Sequence, residues 1–170
     1  MTAADAPRVR PLAPADVPGL LALIQALADY EQLPGPDPAA RDRLTQDALA
    51  DPPRFQALVA ELDGALVGYA ILFETYSTFL AQPSLYLEDL FVLPTARGRG
   101  AGAALFRACA RLAVERDRGR FEWQVLAWNR LALDFYARFD AQPLDDWRPM
   151  RLTGDALRRA AGLDATPPTR

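Results

Sequence analysis

The chain has 170 residues, 51% of them hydrophobic and 24% charged, which is typical of one globular domain large enough for a sizeable core. Its formal net charge of -3 argues against a general affinity for nucleic acids. No apolar stretch is long enough to span a membrane. We therefore expect a single domain over residues 1–170, with a core from about 8 to 161 and a frayed tail at 164–170.

Location and proton chemistry are also constrained by composition. Residues 1–7 lack the basic start and apolar centre of a signal peptide, and the one cysteine permits no disulfide within the chain, so we expect a cytoplasmic protein. All 19 basic residues are arginine, and histidine is absent. A general base must therefore be a carboxylate, a tyrosine, a cysteine or water.

The first half of the chain predicts alternating helices and strands. A short strand lies around Val9, and a helix begins at Pro14 and ends near Gln32. A second helix covers residues 38–50. Strands at 55–61 and 66–74 are joined by Asp63-Gly64, a strong hairpin signal, and residues 76–84 are expected to form a loop before a buried strand at 85–93.

The second half begins with a long helix that runs to about Arg118. A strand at 121–127 precedes a helix that Asn129 caps and that ends near Arg138, and a late strand at 147–152 precedes a short helix at 155–161. The order β, α, α, β, β, β, α, β, α, β with a closing helix predicts an α/β or α+β fold with a mixed sheet.

A glycine-rich segment, Arg97-Gly98-Arg99-Gly100-Ala101-Gly102, joins the buried strand to the long helix. Glycines bring backbone N–H groups close to an anion, and the start of a helix adds further donors, so this arrangement predicts a phosphate site. The spacing fits both a dinucleotide fingerprint ending at Ala103 and a coenzyme A pyrophosphate loop. Because residues 1–96 precede the loop and too few follow it, a complete dinucleotide fold is disfavoured.

Candidate catalytic groups lie on both sides of this loop. Glu88 and Asp89 are adjacent on the predicted central strand, where regular alternation would place their side chains on opposite faces. Burying acids there is costly unless they have a function or a partner, and an ion pair with arginine is the structural alternative. Tyr136 supplies a phenol on the helix after Asn129, and its alternative is a half-buried ring with a satisfied hydroxyl.

Five segments carry a resemblance to a known family, and they lie between Val9 and Leu157. They are 27–31 (LADYE), 86–92 (YLEDLFV), 97–102 (RGRGAG), 127–129 (AWN) and 134–136 (DFY). Together they resemble the diamine (spermidine/spermine) N-acetyltransferase branch of the GNAT superfamily. The resemblance implies a GNAT fold, in which helices flank a mixed sheet with splayed central strands, over one N-acetyltransferase domain.

The activity implied is direct transfer of an acetyl group, in a ternary complex, from acetyl-coenzyme A to a primary amine of a small cationic substrate. That amine would be a diamine, a polyamine or a lysine-like molecule, and no metal is expected. The family is homodimeric, with the amine site near the partner chain, so a homodimer is expected.

Individual residues take roles from the resemblance. Tyr136 would be the general acid for the leaving thiolate, and Glu88 the base, acting on the amine through water. Residues that would contact the cofactor are Leu90, Phe91, Val92, Arg97, Gly98, Arg99, Gly100, Ala101, Gly102, Ala103 and Asn129. Residues that would form the amine site are Tyr30, Glu31, Glu88, Asp89, Glu122, Trp123 and Gln124.

Two departures from the family pattern follow Tyr136. Phe139 replaces a basic residue, which weakens an expected phosphate contact, and Asp140 replaces a helix-ending glycine. Since aspartate tolerates a left-handed backbone, that turn is expected to survive. An amino-acid or peptide N-terminal acetyltransferase and a non-catalytic acyl-coenzyme A sensor remain alternatives, whereas a dinucleotide oxidoreductase is disfavoured by topology.

Overall fold

A computed structural model describes residues 6–163 of the chain. The chain divides into two compact units, one ending at Gln124 and one beginning at Val125. Each unit is described by itself below. The tail expected to fray, 164–170, lies outside the described residues, and the expectation of a single domain stays a prediction.

The first unit is built on a five-stranded sheet in the order β1-β2-β3-β4-β5. The strands are β1 (Arg8–Pro11), β2 (Gln56–Leu62), β3 (Ala65–Ser77), β4 (Gln82–Val92) and β5 (Phe121–Trp123). Neighbours from β1 to β4 are antiparallel, and β4 pairs with β5 in parallel. The mixed sheet expected from the sequence is therefore confirmed.

The unit contains three α-helices, α1 (Val17–Glu31), α2 (Pro38–Ala48) and α3 (Ala101–Glu115), and α1 and α3 pack against the sheet. A short 3-10 turn, Pro14–Asp16, leads into α1, where proline is tolerated because the first turn needs no N–H donor. Asp37 caps α2 by accepting a hydrogen bond from the N–H of Ala40 at 2.7 Å. The connection from β4 through α3 to β5 forms the expected parallel crossover.

Both faces of the sheet are packed by helices. The face toward α1 carries a cluster of buried residues: Leu20, Leu23, Ala57, Val59, Tyr69, Ile71 and Phe91. The face toward α3 is covered by Leu105 and Cys109, and burial raises the pKa of the Cys109 thiol to about 12, so it packs as a neutral group. A Cβ on Gly68 would lie 2.6 Å from the carbonyl oxygen of Phe91, so only glycine fits at that close approach.

The loop predicted at residues 76–84 is wrong. β3 continues to Ser77 and β4 starts at Gln82, so the two strands form one long hairpin around the turn 78–81. Pro83 lies within β4 although it has no N–H donor. It is tolerated because the ladder with β5 begins only at Leu85, so no β4–β5 hydrogen bond is lost at position 83.

The second unit contains the helices α4 (Arg130–Ala137) and α5 (Gly154–Ala160). The strand predicted at 147–152 is wrong, since that segment has no regular structure. Pro149 lies in its middle and cannot donate a ladder hydrogen bond. The strand predicted at 121–127 is also shorter than expected and ends at Trp123.

Candidate functional site

The glycine loop has the backbone geometry expected of an anion site. Gly98 has φ +77° and Gly100, the N-cap of α3, has φ +88°, a conformation that side-chain-bearing residues rarely adopt. No atom lies within 4 Å of a Cβ built on Gly98, so the loop is open there. Ala104 is the first residue of α3 whose N–H reaches a helical carbonyl, that of Gly100 at 2.9 Å. The N–H groups of residues 101–103 are thus available to a ligand.

The two arginines of the loop contact the protein itself. The Nε of Arg97 donates a hydrogen bond to the carbonyl oxygen of Val92 at 3.1 Å, and its Cζ lies 4.8 Å from the centroid of the Tyr30 ring. Arg99 donates from Nη2 to Oδ2 of Asp63, in the β2–β3 turn, at 2.9 Å. The loop is therefore anchored on one side to α1 and on the other to the first hairpin.

One edge of β4 is open beside the loop. Only Leu85, Tyr86 and Leu87 pair with β5, and beyond them no strand within residues 6–163 pairs with this edge. The backbone of residues 88–92 therefore offers N–H and C=O groups to an extended ligand. Phe91 and Val92 are buried and Leu90 is half-buried, so the predicted cofactor-binding positions form an apolar wall next to this edge.

A β-bulge places Glu88 outside the regular pairing of β4. Leu87 lies opposite Leu72 and Asp89 lies opposite Ile71, which leaves Glu88 without a partner residue. The regular alternation on which the prediction of opposite faces rests therefore fails at this point. Glu88 is exposed, whereas Asp89 lies beside Ile71 on the α1 side of the sheet.

Asp89 is paired with a buried phenol. The hydroxyl of Tyr69 donates a hydrogen bond to Oδ2 of Asp89 at 3.2 Å, and Tyr69 is fully buried. Burial and the charge of Asp89 hold the pKa of Tyr69 well above its usual range, so the phenol stays a donor. The sequence left open an ion pair between Asp89 and an arginine. Among the described residues no arginine forms such a pair.

The carboxyl of Asp89 is also surrounded by like charge. Burial is the main reason that its pKa rises to about 6, and the charges of Glu88 and Glu31 raise it further, while the Tyr69 hydrogen bond lowers it. Glu31 ends α1, and its own pKa is raised by burial. The carboxylates of Glu31 on α1 and of Glu88 and Asp89 on β4 are therefore close enough for their charges to interact.

The three amine-site residues predicted on and after β5 lie in different environments: an ion pair, the core and the surface. Glu122 lies 3.6 Å from Arg120 and opposite Tyr86, whose pKa is raised by burial, by Glu88 and by Glu122. The Trp123 ring packs edge-on against Phe106 with centroids 5.2 Å apart, which directs it into the core near α3. Gln124 is exposed directly after the strand.

Asn129 and Tyr136 belong to the second unit. Asn129 caps α4 as predicted, its Oδ1 accepting from the N–H of Ala132 at 3.2 Å. Tyr136 is half-buried, with its ring 5.2 Å from that of Phe135. Asp140 has φ +58°, so the turn expected to survive without glycine does survive. Phe139 packs on Phe135 with ring centroids 5.3 Å apart.

Tyr69 was not among the residues that the sequence singled out. It lies within the apolar run of β3, where a tyrosine is commonly a packing residue. Its one distinguishing signal was a hydroxyl in the middle of a buried strand, since such a group requires a hydrogen-bond partner.

No helix within the described range 6–163 is long and apolar enough to cross a membrane. In the same part of the chain, no group of three or more cysteine, aspartate or glutamate side chains is arranged to hold a metal ion.

The open strand edge, the glycine loop and the mixed sheet can be compared with known proteins. The model of the acetyltransferase (GNAT) family matches residues 20–141. The chain belongs to this family. The expected acetyltransferase and its GNAT fold are confirmed, and the dinucleotide alternative for the glycine loop is excluded.

Relatives of this acetyltransferase include enzymes of small amines. Thialysine N-epsilon-acetyltransferase of Sus scrofa is 32% identical over 158 residues, which cover 86% of this chain and 92% of the relative. L-ornithine N5-acetyltransferase of Arabidopsis thaliana is 31% identical, with 89% and 86% covered. The human spermidine/spermine N(1)-acetyltransferase-like protein 1 is 28% identical over 92% of this chain and 24% of its own length.

Solved structures agree with the fold. An integron cassette protein from the mobile metagenome of V. cholerae superposes with a TM-score of 0.75 at 21% identity, covering 92% of this chain and 98% of its own. An aminoglycoside acetyltransferase from a soil metagenome gives a TM-score of 0.71, also at 21% identity, with 86% and 95% covered.

Proposed function

We propose that this acetyltransferase transfers the acetyl group of acetyl-coenzyme A to a primary amine of a small cationic substrate, in a direct reaction within a ternary complex. The substrate class is a diamine, a polyamine or a lysine-like amine. The relatives named for thialysine, ornithine and spermidine/spermine support this class. The observation that carries it is the group of three carboxylates, Glu31, Glu88 and Asp89, next to the open edge of β4.

The carboxylates favour a cation for an electrostatic reason. Burial is the main cause of the raised pKa of Asp89, and the like charges of Glu88 and Glu31 add to it, which means that the ionised acids destabilise one another. A substrate ammonium placed among them would relieve that repulsion and restore the ionised form of Asp89. We propose Tyr30, Glu31, Glu88, Asp89, Glu122, Trp123 and Gln124 as the amine site. A diamine fits such a site because one nitrogen reacts while the other remains charged.

Acetyl-coenzyme A fits the glycine loop and the open edge of β4. The open loop at Gly98 and the available N–H groups of residues 101–103 suit a pyrophosphate. The edge of residues 88–92 that faces away from β3 pairs with no described strand and suits an extended amide chain such as pantetheine. We propose that Leu90, Phe91 and Val92 line the chain, that residues 98–103 hold the phosphates, and that Asn129 also contacts the cofactor.

The thioester supplies an activated acetyl group, and the protein must manage two protons. The attacking nitrogen must be neutral, so it loses a proton, and we propose that Glu88 receives it through water. The new bond joins nitrogen to the carbonyl carbon, and the carbon–sulfur bond breaks. We propose that the hydroxyl of Tyr136 donates a proton to the departing sulfur, and that the second proton lost by the nitrogen as the amide forms restores the phenol through water. No acyl-enzyme forms, and the reaction releases an N-acetyl amine and free coenzyme A.

We further propose that the protein is a cytoplasmic homodimer and that residues 1–170 form a single N-acetyltransferase domain. The second unit exposes large apolar side chains where the late strand was expected. Trp147 is 76% and Met150 is 92% exposed, and burial against a second chain would remove this surface from water. Light scattering at micromolar concentration should give twice the chain mass of 18.7 kDa, and the single-chain mass would contradict the dimer.

An amine panel tests the proposed function. Purified protein is incubated with acetyl-coenzyme A, and release of the free thiol is followed with diamines, polyamines, thialysine, ornithine, neutral amines and peptide N-termini. We expect the highest kcat/KM for an amine carrying a second positive charge. A preference for peptide N-termini would contradict a small cationic substrate. Binding of acetyl-coenzyme A without turnover of any amine would indicate an acyl-coenzyme A sensor.

A further inference from the structure

Arg97 occupies a place that its position in the glycine loop does not explain. Its guanidinium lies over two rings, with Cζ 4.8 Å from the centroid of Tyr30 and 5.9 Å from the centroid of Phe91. Its Nε donates to the carbonyl oxygen of Val92 at 3.1 Å. The side chain is half-buried and therefore connects the last turn of α1 to the end of β4.

These contacts use features specific to arginine. The planar guanidinium stacks on aromatic faces while its Nε–H donates in the same plane, and a lysine ammonium cannot do both. Tyr30 precedes Glu31, which ends α1 and whose charge adds to the raised pKa of Asp89. A residue that holds the Tyr30 ring against β4 therefore also holds the last turn of α1, from which the Glu31 side chain projects.

We propose that Arg97 is a positioning residue for the amine site, holding Tyr30 and the end of α1 against β4, and that it is not a phosphate ligand of the cofactor. The inference rests on the proposed function, because it assigns Tyr30 and Glu31 to the amine. Arg97, the first residue of the glycine loop, would thus act on the amine site and not on the cofactor. The phosphates are left to the backbone N–H groups of the loop.

Kinetics of three variants distinguish the two roles. Arg97→Lys keeps the positive charge but loses the stacking plane, and Arg97→Gln loses both. We expect each to raise the KM for the amine about tenfold, the effect of losing a partly buried cation–π contact. The dissociation constant of coenzyme A should stay near the wild-type value. Arg111→Gln, which changes an exposed arginine on α3, is the matched control.

A double-mutant cycle tests the partner. Tyr30→Leu removes the ring, and in that background Arg97→Gln should raise the amine KM no further, because the contact is already lost. Tyr30→Phe keeps the ring face and should retain the dependence on Arg97. Additive effects of Tyr30→Leu and Arg97→Gln, or a weakened affinity for coenzyme A with an unchanged amine KM, would overturn the inference.

Hydrogen exchange supplies a measurement that needs no activity. The N–H groups of Gln32 and Leu33 bond the carbonyls of Asp29 and Ala28 at 3.2 Å and 2.9 Å and close the last turn of α1. In Arg97→Gln these amides should exchange faster than in wild type and in Arg111→Gln, and equal rates would count against the inference. A wild-type protein that acetylates no amine would instead refute the proposed function. The exchange rates would still show whether Arg97 holds the end of α1.

Discussion

Tyr69 and Asp89 form a hydrogen bond of 3.2 Å between a fully buried phenol and a largely buried carboxyl, on neighbouring strands β3 and β4. This bond opposes the effects of burial and like charge, which together raise the pKa of Asp89 to about 6. The phenol therefore helps keep the carboxylate ionised at neutral pH, which is the form that attracts an ammonium group.

Tyr69→Phe should move the acid limb of the pH profile upward. Activity is lost as pH falls through the pKa of Asp89, because the protonated acid no longer attracts a cation. Removing the hydrogen bond raises that pKa, and since bonds to charged groups contribute about 1.5–3 kcal/mol, the midpoint should rise by about 1–2 pH units. The measurement is kcat/KM against pH with a diamine.

Tyr76→Phe is the matched control, since Tyr76 lies on the same strand but is 62% exposed. Its profile should coincide with that of the wild type. An unshifted profile for Tyr69→Phe would show that Asp89 does not control the acid limb.

Asp89→Asn should stabilise the fold while lowering activity. The folded pKa of about 6 lies above the ordinary value of 3.8, so the native state binds the proton more tightly than the unfolded chain. The stability linked to this group is complete below pH 3.8 and is lost as pH rises through 6. At pH 8 the neutral amide should therefore raise the free energy of unfolding by about 2–3 kcal/mol.

The stability difference between Asp89→Asn and wild type should shrink as the pH is lowered from 8 to 4 in chemical denaturation. A difference that is independent of pH would mean that the charge of Asp89 is not the cause.

Several features of this site follow from sequence patterns and others do not. The glycine loop was predictable because only glycine adopts the backbone found at positions 98 and 100 at little cost. The bulge at Glu88 was not, since alternation of apolar residues looks the same whether or not one residue lies outside the ladder. The importance of Tyr69 depends on its partner across β4, and a pairing register is a tertiary property that local sequence does not specify.

Glu31→Gln should shift the acid limb opposite to Tyr69→Phe. Removing a like charge lowers the pKa of Asp89, so activity should persist to lower pH. The kcat/KM for a dication should fall, because one of the negative charges that attract the substrate is gone. It should also depend less on salt, since salt screens such exposed charges beyond roughly 10 Å at 0.1 M.

A neutral amine serves as the substrate control for Glu31→Gln. Glu115→Gln, which changes an exposed side chain at the end of α3, is the protein control. Equal losses for charged and neutral amines would contradict an electrostatic role of Glu31.

Acetyl-coenzyme A should raise the melting temperature, and NAD should not. A ligand at a hundredfold excess over its dissociation constant stabilises the folded state by about 2.7 kcal/mol. Gly100→Ala forces a side-chain-bearing residue to φ +88°, so it should destabilise the fold by about 1–2 kcal/mol and reduce the ligand-induced shift.

Gly64→Ala separates these two effects. Gly64 has φ +77° in the β2–β3 turn, and no atom lies within 4 Å of its added Cβ. It should destabilise the fold similarly and keep the full shift with acetyl-coenzyme A. Equal ligand-induced shifts in both variants would place the phosphates outside the glycine loop.

Tyr136→Phe tests the proposed general acid. The leaving sulfur gains negative charge as the carbon–sulfur bond breaks, and with no histidine in the chain a phenol is the candidate donor. The phenylalanine keeps the ring and its packing on Phe135, whose centroid is 5.2 Å away, so only the hydroxyl is removed. General acids contribute about 10²–10⁴-fold, and we expect kcat to fall in that range. Affinity for acetyl-coenzyme A and the melting temperature should remain near wild type. Turnover at the wild-type rate would make Tyr136 a packing residue and assign protonation of the sulfur to water.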